Sequence, residues 1–112
     1  MKGKVFYTMI HKRNFSGIEQ VEGYEFAING NKFYGYISSE SNKAYIIDPE
    51  TGRSIYDYPI FDEGQEINAM KYTIDRLMED EYILEEFERK KNSPEYESMK
   101  EIFKFFFCRG KT

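Results

Sequence analysis

The sequence has little of the residues that build covalent cross-links and metal sites. It contains one cysteine, Cys108, and one histidine, His11. A single cysteine forms no disulfide within the chain, and a single histidine excludes multi-histidine zinc sites. The 112 residues also include no tryptophan and only three prolines. We therefore expect a fold that depends on side-chain packing, in a reducing compartment.

Long apolar runs and catalytic motifs are also missing. No segment approaches the roughly 20 apolar residues that cross a bilayer as a helix. The N-terminal segment MKGKVFYTMIHKRNF lacks a small-residue cleavage site, so we expect no signal peptide and no membrane contact. No phosphate-binding loop, dinucleotide fingerprint, zinc spacing or nucleophile elbow is present. We expect a non-enzyme with no catalytic residue, no metal and no cofactor.

The length and composition predict one globular domain over residues 1–112. Hydrophobic residues make up 40% of the chain and charged residues 32%, which is typical of a soluble folded protein. Aromatic residues reach 18%, as ten Phe and ten Tyr. Large rings raise the area that a small domain can bury, so most of them are expected in the core.

The first half of the chain predicts strands over residues 1–60. Residues 5–11 are rich in β-forming types, with Val5, Tyr7 and Met9 on one side and Phe6, Thr8 and Ile10 on the other. We expect this strand to lie centrally or to be covered on both faces. Residues 43–48 and 54–58 predict two later strands, joined by a tight turn that contains proline and glycine.

Asn29-Gly30 is the strongest local signal in the sequence. This pair favours the type I′ turn of a two-residue hairpin loop. The loop length fixes the pairing of the flanking strands, so that Phe26 lies opposite Phe33. That register predicts a shared core face made of Tyr24, Phe26, Ile28, Phe33 and Ile37.

The second half predicts helices over residues 62–109. Apolar residues recur at helical spacing up to Leu77 and Met78, but a continuous helix would place Glu81 on the apolar face. We therefore predict a kink or break near residues 79–81, and a further helix that starts at Ser93-Pro94. The predicted fold class is α+β: an antiparallel β-meander of about five short strands followed by two or three C-terminal helices packed on one face.

Negative charge is concentrated in one part of the chain. The net charge is −4, but residues 57–88 hold eleven acidic residues against Lys71 and Arg76. On a helix, Glu81, Glu85 and Glu88 share one side at axial spacings of about 4.5–6 Å, which loosely resembles the roughly 3.4 Å rise per phosphate along a DNA strand. The candidate acidic partner surface comprises Asp57, Asp62, Glu63, Glu66, Glu81, Glu85 and Glu88. The alternative is an ordinary solvated helix face that keeps a small protein soluble.

Exposed aromatic residues form a second set of candidates. Tyr34 and Tyr36 share the strand face opposite the predicted core, where Tyr45, Tyr56 or Tyr58 join them. Such a face is typical of a platform for single-stranded nucleic acid or of a protein contact, and cross-strand tyrosine pairs also simply stabilise sheets. Phe105 falls on the outward side of the last helix, where it would contact a partner or a second copy of the chain.

These features favour a small acidic binding protein. Phe, Tyr, Met, Ile, Asn and Lys account for 54 residues, a composition typical of AT-rich genomes such as those of many phages and mobile elements. We therefore hypothesise an inhibitor in the cytoplasm of a bacterial host, with a DNA-mimic-like surface for a basic host protein. A restriction or CRISPR nuclease would be such a target, and direct contact with nucleic acid is not expected.

Two alternatives come from other functional classes. One is a nucleic-acid-binding module that uses the tyrosine face and the basic N-terminal residues Lys2, Lys4, Lys12 and Arg13. The other is a domain of unknown role that forms a homodimer through Phe105.

Overall fold

The computed structural model describes residues 4–14, 17–60 and 66–110, and within them the chain forms five strands and three helices. The strands are β1 (Phe6–Asn14), β2 (Gly17–Ile28), β3 (Asn31–Ser38), β4 (Lys43–Ile47) and β5 (Ser54–Pro59). The helices are α1 (Glu66–Glu79), α2 (Glu81–Lys91) and α3 (Pro94–Gly110). The predicted α+β class, an antiparallel meander followed by helices, is confirmed.

The β2–β3 hairpin forms as the Asn29-Gly30 pair predicts. Both turn residues have positive φ angles, 53° for Asn29 and 81° for Gly30, which a type I′ turn requires. The opposite pairs in the ladder are Tyr24–Gly35, Phe26–Phe33 and Ile28–Asn31. The predicted register is therefore confirmed, because a two-residue turn leaves the strands no other alignment.

One face of the sheet forms the main core with α1 and α2. The buried side chains of this core are Tyr24, Phe26, Ile28, Phe33, Ala44, Ile46, Met70, Ile74, Leu77 and Phe87. The ring centroids of Phe33 and Phe87 are 5.1 Å apart, which fixes α2 to the sheet. A Cβ atom on Gly35 would lie 2.6 Å from the Met70 sulfur, so α1 packs directly over this glycine.

The order of strands places β1 at an edge. Each strand pairs with its sequence neighbours in the order β1-β2-β3-β4-β5. The expectation that β1 is central or covered on both faces is therefore wrong: Ile10 is buried, but Phe6, Tyr7 and Met9 are exposed. The physical reason is that a meander of successive hairpins leaves its first strand with one neighbour, whatever its hydrophobicity.

The break between the first two helices and the start of the third lie where the sequence predicts. α1 ends at Glu79 and α2 starts at Glu81, so the predicted break is confirmed. Asp80 caps α2, because its carboxylate accepts a hydrogen bond from the Ile83 amide at 3.3 Å. Ser93 caps α3, because its hydroxyl oxygen accepts a hydrogen bond from the Tyr96 amide at 3.2 Å.

The third helix also reaches side chains of the opposite sheet face. Tyr34 alternates with Phe33, which faces the main core, and lines a cleft together with Phe103 and Lys104 of α3. As predicted, two helices, α1 and α2, pack on one face of the sheet. The third helix, α3, contacts side chains of the opposite face. None of the helices within residues 66–110 combines the length and apolar character that a bilayer span requires.

Candidate functional site

The acidic row on α2 lies on the side of this helix that faces away from the core. Glu81, Glu85 and Glu88 are all exposed and are spaced by four and three residues, which places them on one side of a helix. Phe87 is buried on the other side against Phe33. The core contact therefore holds the three carboxylates out towards solvent.

The three carboxylates differ in what they contact. Glu88 accepts a hydrogen bond from the Asn31 side-chain amide, and the Asn31 carbonyl oxygen accepts one from Lys91 at 2.8 Å. No ion pair to Glu81 or Glu85 is found among residues 4–14, 17–60 and 66–110. Two of the three carboxylates thus keep their charge available for a partner.

An exposed tyrosine accompanies these glutamates. Tyr82 is 70% exposed, the most open large hydrophobic side chain of the described residues, and it lies one helical turn before Glu85. Further along the same helix, the Arg89 guanidinium pairs with the Glu86 carboxylate at 2.6 Å. Tyr82 was not among the predicted contact residues, although its position away from the Phe87 side of the helix marked it as outward. We refer to Glu81, Tyr82, Glu85 and Glu88 as the acidic α2 surface.

Asp57, another of the predicted acidic residues, does not extend this surface. Asp57 alternates along β5 with Tyr56 and Tyr58, which face α1, so its side chain points to the opposite face of the sheet. There the Asp57 carboxylate lies 3.5 Å from the Lys43 ammonium. Its charge is therefore compensated within the chain and is separated from α2 by the sheet.

Glu66 lies at the start of α1 and is exposed. Burial, followed by the charge of Glu66, raises the pKa of Tyr24 on β2. Asp62 and Glu63 lie outside the described residues.

The predicted tyrosine platform is divided between two faces of the sheet. Tyr36 and Tyr45 stack with ring centroids 5.1 Å apart and an interplanar angle of 14°, on the face that also holds Tyr34. Tyr56 and Tyr58 stack on the other face, where Tyr58 meets Tyr72 of α1. Tyr34, Tyr36 and Tyr45 therefore share one face of the sheet, as predicted. Tyr56 and Tyr58 lie on the other face, which packs against α1.

Basic side chains near the tyrosines are engaged within the chain. The Lys12 ammonium lies 5.1 Å from the Tyr36 ring centroid and pairs with Glu19 at 3.3 Å. The Arg13 guanidinium lies 5.5 Å from the ring centroid of Phe106. Burial raises the pKa of Tyr36, against the opposite effect of Lys12. This part of the sheet is thus a mutually satisfied aromatic and cationic cluster.

A cleft lies between the sheet and α3. Its volume is about 390 Å³ and its lining residues are His11, Tyr34, Pro49, Glu50, Lys100, Phe103 and Lys104. This cleft was not predictable from the sequence, because its residues come from four distant segments. The Lys100 ammonium pairs with the Glu97 carboxylate at 3.3 Å. One of the two lysines that line the cleft therefore already has an anionic partner.

Beside the cleft, Tyr96 joins α3 to the turn between β4 and β5. Its hydroxyl lies 2.5 Å from Asp48 Oδ2 and 2.8 Å from Glu50 Oε2. Asp48 also accepts hydrogen bonds from the Glu50 amide at 3.0 Å and from the Thr51 hydroxyl at 3.2 Å. Burial, followed by the two carboxylates, raises the pKa of Tyr96. The phenol is therefore a structural hydrogen-bond donor and is unsuited to acid–base chemistry near neutral pH.

Phe105 lies on the outward side of α3, as its spacing predicts. It is 60% exposed and meets Phe106 edge to face with centroids 5.9 Å apart. Ile102, one turn before it, is 43% exposed. These two exposed side chains form an apolar patch on the outward side of α3.

Within the described residues, no group of three or more His, Cys, Asp or Glu side chains is arranged to hold a metal ion. Among the sites considered, the acidic α2 surface combines exposed charge, an exposed aromatic ring and a rigid support. Comparison with known proteins finds no matching family model, no matching curated protein and no matching solved structure.

Proposed function

We propose that this chain is a non-enzymatic binding protein whose acidic α2 surface captures the basic surface of a partner protein. The observation that carries the proposal is the combination of Glu81, Tyr82 and Glu85, which are exposed side by side on a helix fixed to the core. Carboxylates without internal cations attract a basic surface and speed its encounter. A tyrosine supplies a large contact area at low entropic cost, as at many protein interfaces.

The partner class that fits is a host protein that handles nucleic acid. The basic grooves of such proteins are built to bind rows of phosphates, and Glu81, Glu85 and Glu88 offer a row of negative groups about 4.5–6 Å apart along the helix axis. The AT-rich composition supports an origin in a phage or mobile element. An inhibitor of a restriction or CRISPR nuclease is therefore the specific form of the proposal.

The nucleic-acid-binding alternative has less support from the geometry. Lys12 is paired with Glu19, and Tyr36 is stacked on Tyr45. A phosphate or a base would have to displace these internal partners before it bound. Gel shifts over a range of salt concentrations test this alternative, because binding to phosphates gives a steep loss of affinity with salt.

Charge reversal on α2 tests the proposed function against a matched control. The test variant is Glu81→Lys with Glu85→Lys, and the control is Glu97→Lys with Glu101→Lys on α3. Both pairs are exposed, have the same spacing and change the net charge by the same amount. Because exposed substitutions usually change stability by less than about 0.5 kcal/mol, both variants are expected to fold.

The measurement is capture of bacterial proteins on the immobilised chain, followed by elution with duplex DNA. We expect DNA-binding proteins to be retained by the wild type and by the α3 control, to be released by DNA, and to be lost from the α2 variant. Equal retention by both double variants would contradict the proposal, as would a captured protein that DNA does not displace. The identified target is then assayed for inhibition of its nucleic-acid activity.

A further inference from the structure

The cleft between the sheet and α3 has the size and the lining of a small-molecule site. Its volume of about 390 Å³ falls within the roughly 300–1,000 Å³ that is usual for ligand pockets. Such pockets combine apolar and aromatic walls with a few polar groups. This cleft has both kinds of group, since Tyr34, Pro49 and Phe103 are joined in its lining by His11, Glu50, Lys100 and Lys104.

The walls of the cleft are held in place by contacts within the chain. The Arg13 amide donates to the Gly52 carbonyl oxygen at 3.0 Å, which ties β1 to the turn between β4 and β5. The Phe103 ring of α3 packs against the same glycine. The Tyr96 hydroxyl of α3 donates to the Glu50 carboxylate of this turn at 2.8 Å. The cleft is therefore preformed, as most ligand pockets are.

One side of α3 presents an aromatic ring between two cations to the cleft. Lys100, Phe103 and Lys104 all line it, and their spacing of three and four residues places them on the same side of the helix. Phe103 is buried and Lys104 is exposed. The ring therefore belongs to the inner part of the wall, and the Lys104 ammonium belongs to the part that meets solvent.

The charge that lacks a partner in this lining is positive. Lys100 pairs with Glu97 at 3.3 Å, and Glu50 accepts the Tyr96 hydroxyl. Lys104 forms no ion pair with any residue in the ranges 4–14, 17–60 and 66–110. Two ammonium groups and one carboxylate line the cleft, so a ligand with a single negative charge balances the excess.

We propose that the cleft binds a flat aromatic molecule that carries one carboxylate. Its ring packs against Phe103 and Tyr34, because aromatic rings attract one another in offset or edge-to-face contact. Its carboxylate accepts a hydrogen bond from the Lys104 ammonium, and such a charge-assisted bond is stronger than a neutral one. The Glu50 carboxylate in the same lining disfavours a ligand with several negative charges.

This binding goes beyond the proposed function, and the two can fail separately. Capture of a basic protein by the acidic α2 surface requires no ligand in the cleft. The test of the cleft leaves Glu81 and Glu85 unchanged, so its result does not depend on whether a protein partner exists.

An NMR titration of the ¹⁵N-labelled chain with indole-3-acetate tests the proposal. This probe has a fused ring, one carboxylate and about 13 non-hydrogen atoms, for which a Kd of about 1 mM or below is expected. The largest amide shifts should lie at Tyr34, Glu50 and residues 100–104. Indole-3-acetamide, which has the same shape without the charge, should bind at least fivefold more weakly. Absence of binding at about 10 mM, equal affinity for the two probes, or shifts centred elsewhere would overturn the proposal.

Two lysine variants separate the cleft from the overall charge of the chain. Lys104→Met removes the ammonium that the proposal uses, and Lys71→Met removes an exposed ammonium from α1. We expect Lys104→Met to weaken indole-3-acetate binding about tenfold, the usual loss for a hydrogen bond to a charged group, and Lys71→Met to bind as the wild type does. Both lysines are exposed, so both variants are expected to fold, which thermal unfolding checks. Equal affinities of the two variants for indole-3-acetate would contradict the assignment of Lys104.

Discussion

The ring of Phe103 lies directly against the Cα atom of Gly52. A Cβ atom at residue 52 would be 2.3 Å from Cε1 of this ring, closer than any real contact. Gly52 also has a φ of +70° and accepts the Arg13 amide through its carbonyl oxygen. Gly52 therefore lies at a point where the end of β1, the turn before β5 and the helix α3 meet.

We predict that Gly52→Ala is strongly destabilising. The positive φ costs about 1–2 kcal/mol for an L residue, and the collision with Phe103 adds about 1–3 kcal/mol of overpacking. Gly30→Ala is the matched control, since Gly30 has a φ of +81° but no atom within 4 Å of its ideal Cβ position. Urea unfolding should show a clearly larger loss for Gly52→Ala, and equal losses would show that the packing of Phe103 contributes nothing.

Tyr96→Phe is expected to lower the free energy of unfolding at pH 7 by about 0.5–1.5 kcal/mol, the usual net value of one hydrogen bond. The loss stays moderate because buried Asp48 keeps the Glu50 amide and the Thr51 hydroxyl as donors. Tyr82→Phe, which changes an exposed phenol, serves as the control and should leave stability unchanged. A loss above about 3 kcal/mol would show that Asp48 is left unsatisfied after all.

The same phenol predicts an alkaline weakening of the fold. The folded pKa of Tyr96 is raised above its unfolded value of about 10, chiefly by burial and then by hydrogen bonds to Asp48 and Glu50. The folded state therefore holds its proton more tightly, and the stabilisation is complete below about pH 10 and is lost as pH rises further. Urea unfolding between pH 8 and 11 should show a shallower decline for Tyr96→Phe than for the wild type. Parallel declines would contradict this assignment.

Phe87 is the contact that positions the acidic α2 surface. Its buried ring lies 5.1 Å from Phe33, and we expect Phe87→Ala to cost about 3–5 kcal/mol, as for other buried phenylalanines. The control Phe105→Ala removes an exposed ring and should change stability by less than about 0.5 kcal/mol. Comparable effects of the two changes in thermal unfolding would show that α2 is held by something other than its core contact.

The sequence predicted those features of the fold that depend on residues close together in the chain. Asn29-Gly30 fixed both the turn and the pairing of Phe26 with Phe33, because a two-residue loop allows one register. The break before Glu81 followed from the energetic cost of a carboxylate on an apolar helix face. Both predictions rest on residues that are close in the chain, where periodicity carries the information.

Contacts between distant segments were not predictable in the same way. Tyr96 and Asp48 are 48 residues apart, and nothing in their local sequence indicates that they meet. Asp57 was grouped with the α2 glutamates through charge alone, although its alternation with Tyr56 and Tyr58 places it on the other sheet face. Tyr82 was overlooked because it belongs to neither the apolar nor the acidic pattern of its helix. Sequence proximity is therefore a poor guide to a shared surface when a sheet separates the residues.

Asp80 offers a final test of how the break between α1 and α2 is stabilised. Its carboxylate accepts the Ile83 amide, and its own amide donates to the Leu77 carbonyl oxygen at 2.9 Å. Asp80→Ala removes only the side-chain cap, so we expect a loss of about 1 kcal/mol, with little change in helix content by circular dichroism. Asp80→Ser keeps a capping oxygen and should restore most of that loss. If serine is no better than alanine, the cap is not what stabilises the start of α2, and the direction of this helix depends on its core contacts through Ile83, Leu84 and Phe87.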